Sequence, residues 1–288
     1  MIALRMWRSK MALLACVITL FDTLGAIGRG LVDYAKDGVE TAELFHYFTI
    51  NANILTALAA GCIIPFAVEG IRKKYFTYPK WAAIFHYSGT ISTTLTMVFA
   101  VFLISRYDPY MAFGGNNLFL HIICPILVLI SFFMVESDNR FSLRDSLIGL
   151  TPLVIYCAVY LYEVVLVGEK NGGWPDFYHI MDISPLYITL SGVLLMGFGI
   201  AAAIRWGSNR LNEYRRKKLT ARWREDADPV EIRIEVFGLG RYTGKNVDKN
   251  NISLPMDIIE LLADRYDMKT DELLRVFIKG VSDGLKEK

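Results

Sequence analysis

The residues whose chemistry most needs explaining are Thr49 and His121. Thr49 belongs to the stretch Phe45-His46-Tyr47-Phe48-Thr49-Ile50-Asn51-Ala52-Asn53, which opens a long apolar run. His121 stands near the start of another apolar run. A threonine hydroxyl is a weak nucleophile at neutral pH, and a neighbouring imidazole activates it by taking the proton during attack and returning it to the leaving group. The corresponding reaction is acyl transfer, with water finally releasing the acid. Two further side chains compete for roles beside this pair. His46 precedes Thr49 by three residues and is expected on a neighbouring face of the same helix, nearer the interface. Asn53 follows Thr49 by four residues and shares its face, where it either donates an N–H to a developing oxyanion or bonds to another helix.

The elements that must position these groups are membrane helices. Of the 288 residues, 53% are hydrophobic, and the mean hydropathy is +0.34, above the range of ordinary soluble domains. Six apolar runs stand out: Met11–Leu31, Leu44–Val68, Trp81–Ile104, Leu118–Val135, Leu147–Val167 and Leu186–Ile204. At ~1.5 Å per residue each is expected to be long enough to cross a ~30 Å hydrocarbon core. The fourth run is the shortest and contains Pro125, which membrane helices tolerate as a kink. Arg5, Arg8 and Lys10 precede the first run as they would a signal peptide, but Asp22 interrupts it and no small-residue cleavage site follows. An uncleaved first helix is expected. The expected fold is an all-α six-helix membrane bundle over residues 1–207, with a small α+β appendage over 208–288.

Loop charge orients the bundle. Arg5, Arg8 and Lys10 mark the N-terminus, and Arg72, Lys73, Lys74 and Lys80 the second connection. Arg140 and Arg144 mark the fourth, and a cluster from Arg205 to Lys218 follows the sixth run. The alternate connections hold Lys36, Arg106 and Lys170. The positive-inside rule puts both termini in the cytoplasm. Thr49 then lies about 7–8 Å below the outer end of its run and His121 about 4–5 Å below its own, so the two share a depth. His86 is separated from them by more than ~10 Å along the membrane normal and suits an interhelical bond. The hydroxyls from Ser88 to Thr96 suit packing, Tyr156, Tyr160 and Tyr162 an interfacial aromatic belt, and Asp22 needs a partner or a wet cavity.

The four cysteines all fall in apolar runs, and no CxxC or CxxH spacing points to a metal. No cofactor is implied. Past Ser208, the basic stretch Arg210–Arg224 suits a helix lying on the inner leaflet. Val230–Val236 alternates apolar and charged residues and predicts a strand, with Gly238, Gly240 and Gly244 as turns. Helices are expected at Met256–Tyr266 and Asp271–Leu285, the second capped by Thr270.

Tyr47–Leu55 (YFTINANIL) and Leu118–Pro125 (LFLHIICP) resemble motifs of the androgen-induced and androgen-dependent family of membrane threonine hydrolases and its bacterial relatives. The resemblance covers residues 10–205, and the six-span layout with both ends inside fits it. It implies a nucleophile at Thr49 with His121 as partner, lipid esters as substrates (fatty acid esters of hydroxy fatty acids in the animal members) and a bacterial plasma membrane. Gly173-Trp174-Pro175-Asp176-Phe177 looks like a degraded aromatic-proline motif of the family, which adds Trp174 to the candidate substrate-binding residues. Ala52 stands where bacterial members often carry serine. In the appendage, Asn251-Ile252-Ser253-Leu254-Pro255 followed by helices resembles a ribbon-helix-helix module, which would imply a homodimer. Its helices mix acids and bases with no basic face, which argues against nucleic acid.

Two functions of different class follow. One is a membrane lipid esterase. The other is a non-enzymatic membrane sensor or scaffold whose appendage dimerises or binds a partner. A small-solute transporter fits less well, because no inverted repeat or broken-helix pair is visible.

Overall fold

The structure is a computed structural model and describes residues 2–73, 78–136, 140–179, 181, 185–226, 229–246, 259, 260, 262, 263, 266 and 268–287. Two compact units divide it, one covering 2–214 and the other 215–288. The division falls inside a helix, past the Ser208 boundary expected from composition.

In the larger unit, α1 (Ile2–Lys36) leads through a 3₁₀ turn, Thr41–His46, to α2 (Phe48–Lys73). Then come α3 (Lys80–Tyr107), the short α4 (Pro109–Phe113), α5 (Phe119–Val135), α6 (Leu143–Val167) and α7 (Leu186–Asp226). Five of these helices, α1, α2, α3, α6 and α7, are long and apolar enough to cross a membrane, and α5 is a shorter apolar helix. The chain is thus read as an integral, multi-pass membrane protein. Its apolar surface agrees. Phe21, Leu58, Phe102, Ile155 and Leu195 are all more than half exposed, while Thr19, Thr23, Asn53 and Thr56 are buried. Large apolar side chains facing outward over polar ones facing inward suit lipid as the surrounding medium.

Packing is tight where α2 meets α3. A Cβ on Gly89 would lie 2.8 Å from Thr56 Oγ1, so only glycine lets the helices approach this closely. The hydroxyls of α3 bond back into their own helix: Thr90 to the His86 carbonyl, Thr93 to that of Gly89, Thr94 to that of Thr90 and Thr96 to that of Thr93. At the start of α6, Ser142 and Asp145 form a reciprocal capping box, and Lys80 Nζ lies 3.0 Å from Asp145 Oδ2. The core below is close-packed around Tyr87, Ile91, Phe132, Phe141 and Leu150.

In the smaller unit, α8 (Pro229–Asn246) and α9 (Thr270–Lys286) pack in parallel. The strand expected at Val230–Val236 is part of α8, and no strand occurs among the described residues. Alternation over seven residues also fits a helix in which only every second apolar side chain, four residues apart, turns inward. Ile232 and Val236 are buried here, whereas Val230 and Ile234 are half exposed. Two of the glycines expected to make turns, Gly240 and Gly244, lie at the contact. A Cβ on Gly240 would collide with the Phe277 carbonyl, and one on Gly280 with that of Phe237. The same relation holds between Gly244 and Val281, and between Gly284 and Arg241. The pattern Val-Phe-x-x-Gly-x-x-x-Gly therefore occurs twice, at Val236–Gly244 and Val276–Gly284, and the two copies face each other with local two-fold symmetry.

Three further expectations change. Arg210–Arg224 is the continuation of α7 rather than a separate surface helix. Thr270 is the first residue of α9, whose N-cap position is Lys269 with no side-chain bond. The ribbon expected to make a dimer is helical over 229–246, and Asn251–Pro255 lies outside the described residues. The helix expected at Met256–Tyr266 is described only in part, and 259, 260, 262 and 263 are helical.

Candidate functional site

Thr49 is the second residue of α2, whose first turn is set by its surroundings. Tyr47 has an extended backbone, which ends the preceding 3₁₀ turn. The Phe48 amide, one of the donors left free at a helix start, bonds to Tyr178 Oη at 3.0 Å. His121 lies in a π-helical turn, Phe119–Ile123, at the beginning of α5, with Pro125 just after it. A π turn shifts the helix register, and such turns recur where a side chain is aimed at a function.

The two side chains meet. Thr49 Oγ1 lies 3.3 Å from His121 Nε2. The other ring nitrogen, Nδ1, lies 2.8 Å from the Ala112 carbonyl. A carbonyl only accepts, so Nδ1 carries the proton and Nε2 presents its lone pair to the threonine hydroxyl. That is the tautomer a general base needs. His121 is 7% exposed, so bulk water has little access to the base.

Ala112 owes its position to Asp108 and Pro109. Asp108 caps α4 by accepting from the amides of Tyr110 and Met111, both at 2.9 Å, and Pro109 opens the helix. The Asp-Pro pair is a helix-start signal that sequence reasoning passed over. The carbonyl it aims at His121 has no such signal, because that bond joins residues nine apart across a turn.

Asn53 is fully buried and lies beside the pair, but its amide is committed elsewhere. Nδ2 donates to the Thr49 carbonyl at 2.7 Å and reaches the Leu120 carbonyl at 3.5 Å. It ties α2 to α5 and has no N–H left over for an oxyanion. Its Oδ1 is buried without a hydrogen bond.

His46 is not on the helix of Thr49. It ends the 3₁₀ turn, and its ring stacks on Trp174 at 4.3 Å. Trp174 therefore meets His46, not Thr49. Tyr156 and Tyr160, expected in an outward belt, point inward. Tyr156 Oη donates to the His46 carbonyl at 2.7 Å, and Tyr160 Oη donates to Asp176 at 2.7 Å. Together these rings brace the segment that leads into Thr49. His86 lies apart from the site, fully buried, with Nδ1 3.6 Å from Glu136 Oε1. Asp22 accepts from the Cys124 thiol at 2.8 Å across α1 and α5.

Thr49 also lines a cavity of about 790 Å³ between α3, α6, α7 and the segment 177–179. Its walls are mainly apolar, with Leu95, Phe99, Leu103, Leu153 and Met196 among them, and Tyr107, Asp108 and His179 also line it. Thr49 thus has the base on one side and an apolar chamber on the other. Among the described residues, no group of three His, Cys, Asp or Glu side chains could hold a metal ion. Comparison with known protein families, curated proteins and solved structures finds no match.

Proposed function

We propose that the chain is an integral-membrane hydrolase of lipid carboxylic esters, with Thr49 as nucleophile and His121 as base. The observation that carries this reading is the relay from the Ala112 carbonyl through His121 to Thr49 Oγ1, which opens onto an apolar cavity. In the first half-reaction Thr49 Oγ1 bonds to the ester carbon while its proton passes to His121 Nε2. The tetrahedral intermediate then collapses, and Nε2 gives the proton to the departing alkoxide. In the second, Nε2 takes a proton from water, which attacks the acyl-threonine. The proton returns to Thr49 as the acid leaves. The membrane threonine hydrolases that the sequence resembles use the same pair of residue types. In this reading α5 is a sixth span, both termini lie in the cytoplasm and the site is near the outer leaflet, as the loop charges imply.

The test is hydrolysis of a panel of lipid esters by the purified protein in detergent. Turnover that Thr49→Ala abolishes, with trapping of Thr49 by a fluorophosphonate, supports the reading. A folded protein that hydrolyses none of the esters and takes up no probe favours the sensor or scaffold alternative.

A further inference from the structure

A nucleophile and a base do not complete an acyl-transfer site. When Thr49 Oγ1 bonds to the ester carbon, an electron pair moves onto the carbonyl oxygen, and that charge needs a donor aimed at it. Asn53 has no N–H to spare. His121 is occupied at both nitrogens, Nδ1 by the Ala112 carbonyl and Nε2 by the threonine hydroxyl. The donor must therefore come from the cavity side of Thr49.

Tyr178 stands there. It lines the cavity together with Thr49. Its Oη accepts from the Phe48 amide at 3.0 Å and lies within reach of the amide of Thr49 itself. A threonine hydroxyl is three bonds from its own nitrogen, so a group at the Thr49 amide is also within a few ångströms of Oγ1. A phenol has one proton besides its lone pairs. The amides engage the lone pairs, which leaves the proton to point elsewhere. The neighbouring Tyr156 hydroxyl spends its own proton on the His46 carbonyl at 2.7 Å. Tyr156 thus offers Tyr178 only a lone pair, and the Tyr178 proton is free to swing to a stronger acceptor.

The ring is held in place for this. The Tyr178 amide donates to Tyr160 Oη at 3.3 Å, and the rings of Tyr160 and Phe177 lie 5.5 and 4.7 Å away. Burial pushes the phenol up to about 12, so it keeps its proton at neutral pH. An amide that donates into the phenol oxygen also polarises its O–H and strengthens it as a donor.

We infer that Tyr178 Oη is the oxyanion donor of the site. This rests on the hydrolase reading above. As Oγ1 bonds to the carbonyl carbon, the Tyr178 O–H hydrogen-bonds to the oxygen that receives the electron pair. No proton is transferred, and the pair returns to the carbonyl as the alkoxide leaves. The same bond forms again when water attacks the acyl-threonine.

The experiment compares a long-chain fatty acid ester with its thiono counterpart, in which sulfur replaces the carbonyl oxygen, on the full-length protein in detergent. Sulfur accepts hydrogen bonds weakly, so the wild type should strongly prefer the oxygen ester. Tyr178→Phe should lower kcat on that ester by about 10²–10³-fold and cut the oxygen-to-sulfur rate ratio by at least about tenfold. Tyr156→Phe loses a hydroxyl of the same network that serves only the His46 carbonyl, and should leave the ratio at its wild-type value. A Tyr178→Phe variant that slows both substrates equally has lost only support for the start of α2, and overturns the inference. So does a Tyr178→Phe variant at the wild-type rate. A wild type that hydrolyses both substrates alike overturns it without any variant. Failure of the hydrolase reading is distinct: the oxygen ester is then not hydrolysed in a manner sensitive to Thr49→Ala, and the inference falls with it.

Discussion

Thr49 and His121 act in one relay, so their losses should not add. Thr49→Ala removes the acyl acceptor, and His121→Ala leaves a hydroxyl whose proton has nowhere to go. Each alone should abolish nearly all turnover of a lipid ester, and the double variant should match either single one. Additive losses, or a Thr49→Ala variant that keeps most of the rate, would displace the nucleophile. Asn53 behaves differently, because its amide joins the Thr49 and Leu120 carbonyls. Asn53→Leu should lower thermal stability, on the order of 1–3 kcal/mol for the loss of a buried side-chain tie between α2 and α5. Thermal unfolding in detergent measures that cost. The pairing of Thr49 with His121 was legible from the sequence, since topology alone gave them one depth. The company of His46 was not. A one-residue break at Tyr47 took it off the helix and onto Trp174, and no periodicity announces such a break.

At the scale of elements, the α2–α3 contact depends on Gly89. A methyl group there meets Thr56 backbone and side chain together, so the helices must part. Gly89→Ala should destabilise the bundle by about 1–3 kcal/mol, the range for overpacking, and by parting α2 from α3 should also disturb the cavity wall at Thr49 and Thr96. A thermal shift read beside esterase activity tests both. In the smaller unit, Glu287 closes the end of the α8–α9 pair. Burial raises its carboxyl, but the bonds and charges of Arg241 and Lys245 outweigh this and hold it below the usual carboxylate range. A group with a lowered folded pKa stabilises above its unfolded value near ~4.3 and loses that contribution as pH falls through the folded value. Acidification from pH 7 to pH 3 should therefore loosen the end of α9 in wild type, and Glu287→Gln should remove that particular dependence, as amide exchange in residues 280–287 would read. The helical character of α8 was the element least legible in advance. Its seven-residue alternation satisfies a strand and a helix equally, and only the contact of Gly240 and Gly244 with α9 separates them.

For the whole molecule, the apolar runs and the polar interior were legible because lipid reverses the usual distribution, and reversed distributions leave long unbroken hydrophobic runs. The weak point was α5, where a five-residue π turn and twelve α-helical residues make a shorter apolar helix than the five long ones. The site residues and the whole cavity wall lie within 2–214. Removing 215–288 should thus leave ester hydrolysis within about threefold of wild type, each 1.4 kcal/mol of lost transition-state stabilisation being tenfold. A well-folded truncation without activity would assign the smaller unit a part in chemistry.

The facing repeats of α8 and α9 also impose an order in time. Each Val-Phe-x-x-Gly-x-x-x-Gly copy finds its partner forty residues along the chain (276 − 236). At translation rates of ~5–20 residues per second, α8 waits on the order of 2–8 s for α9 to emerge. During that interval its exposed Ile232, Val236 and glycine face is complementary to the same face on an α8 from a neighbouring ribosome. Crowded polysomes therefore favour mispaired chains, and slower initiation, which spaces nascent copies apart, should raise the yield of correctly paired protein.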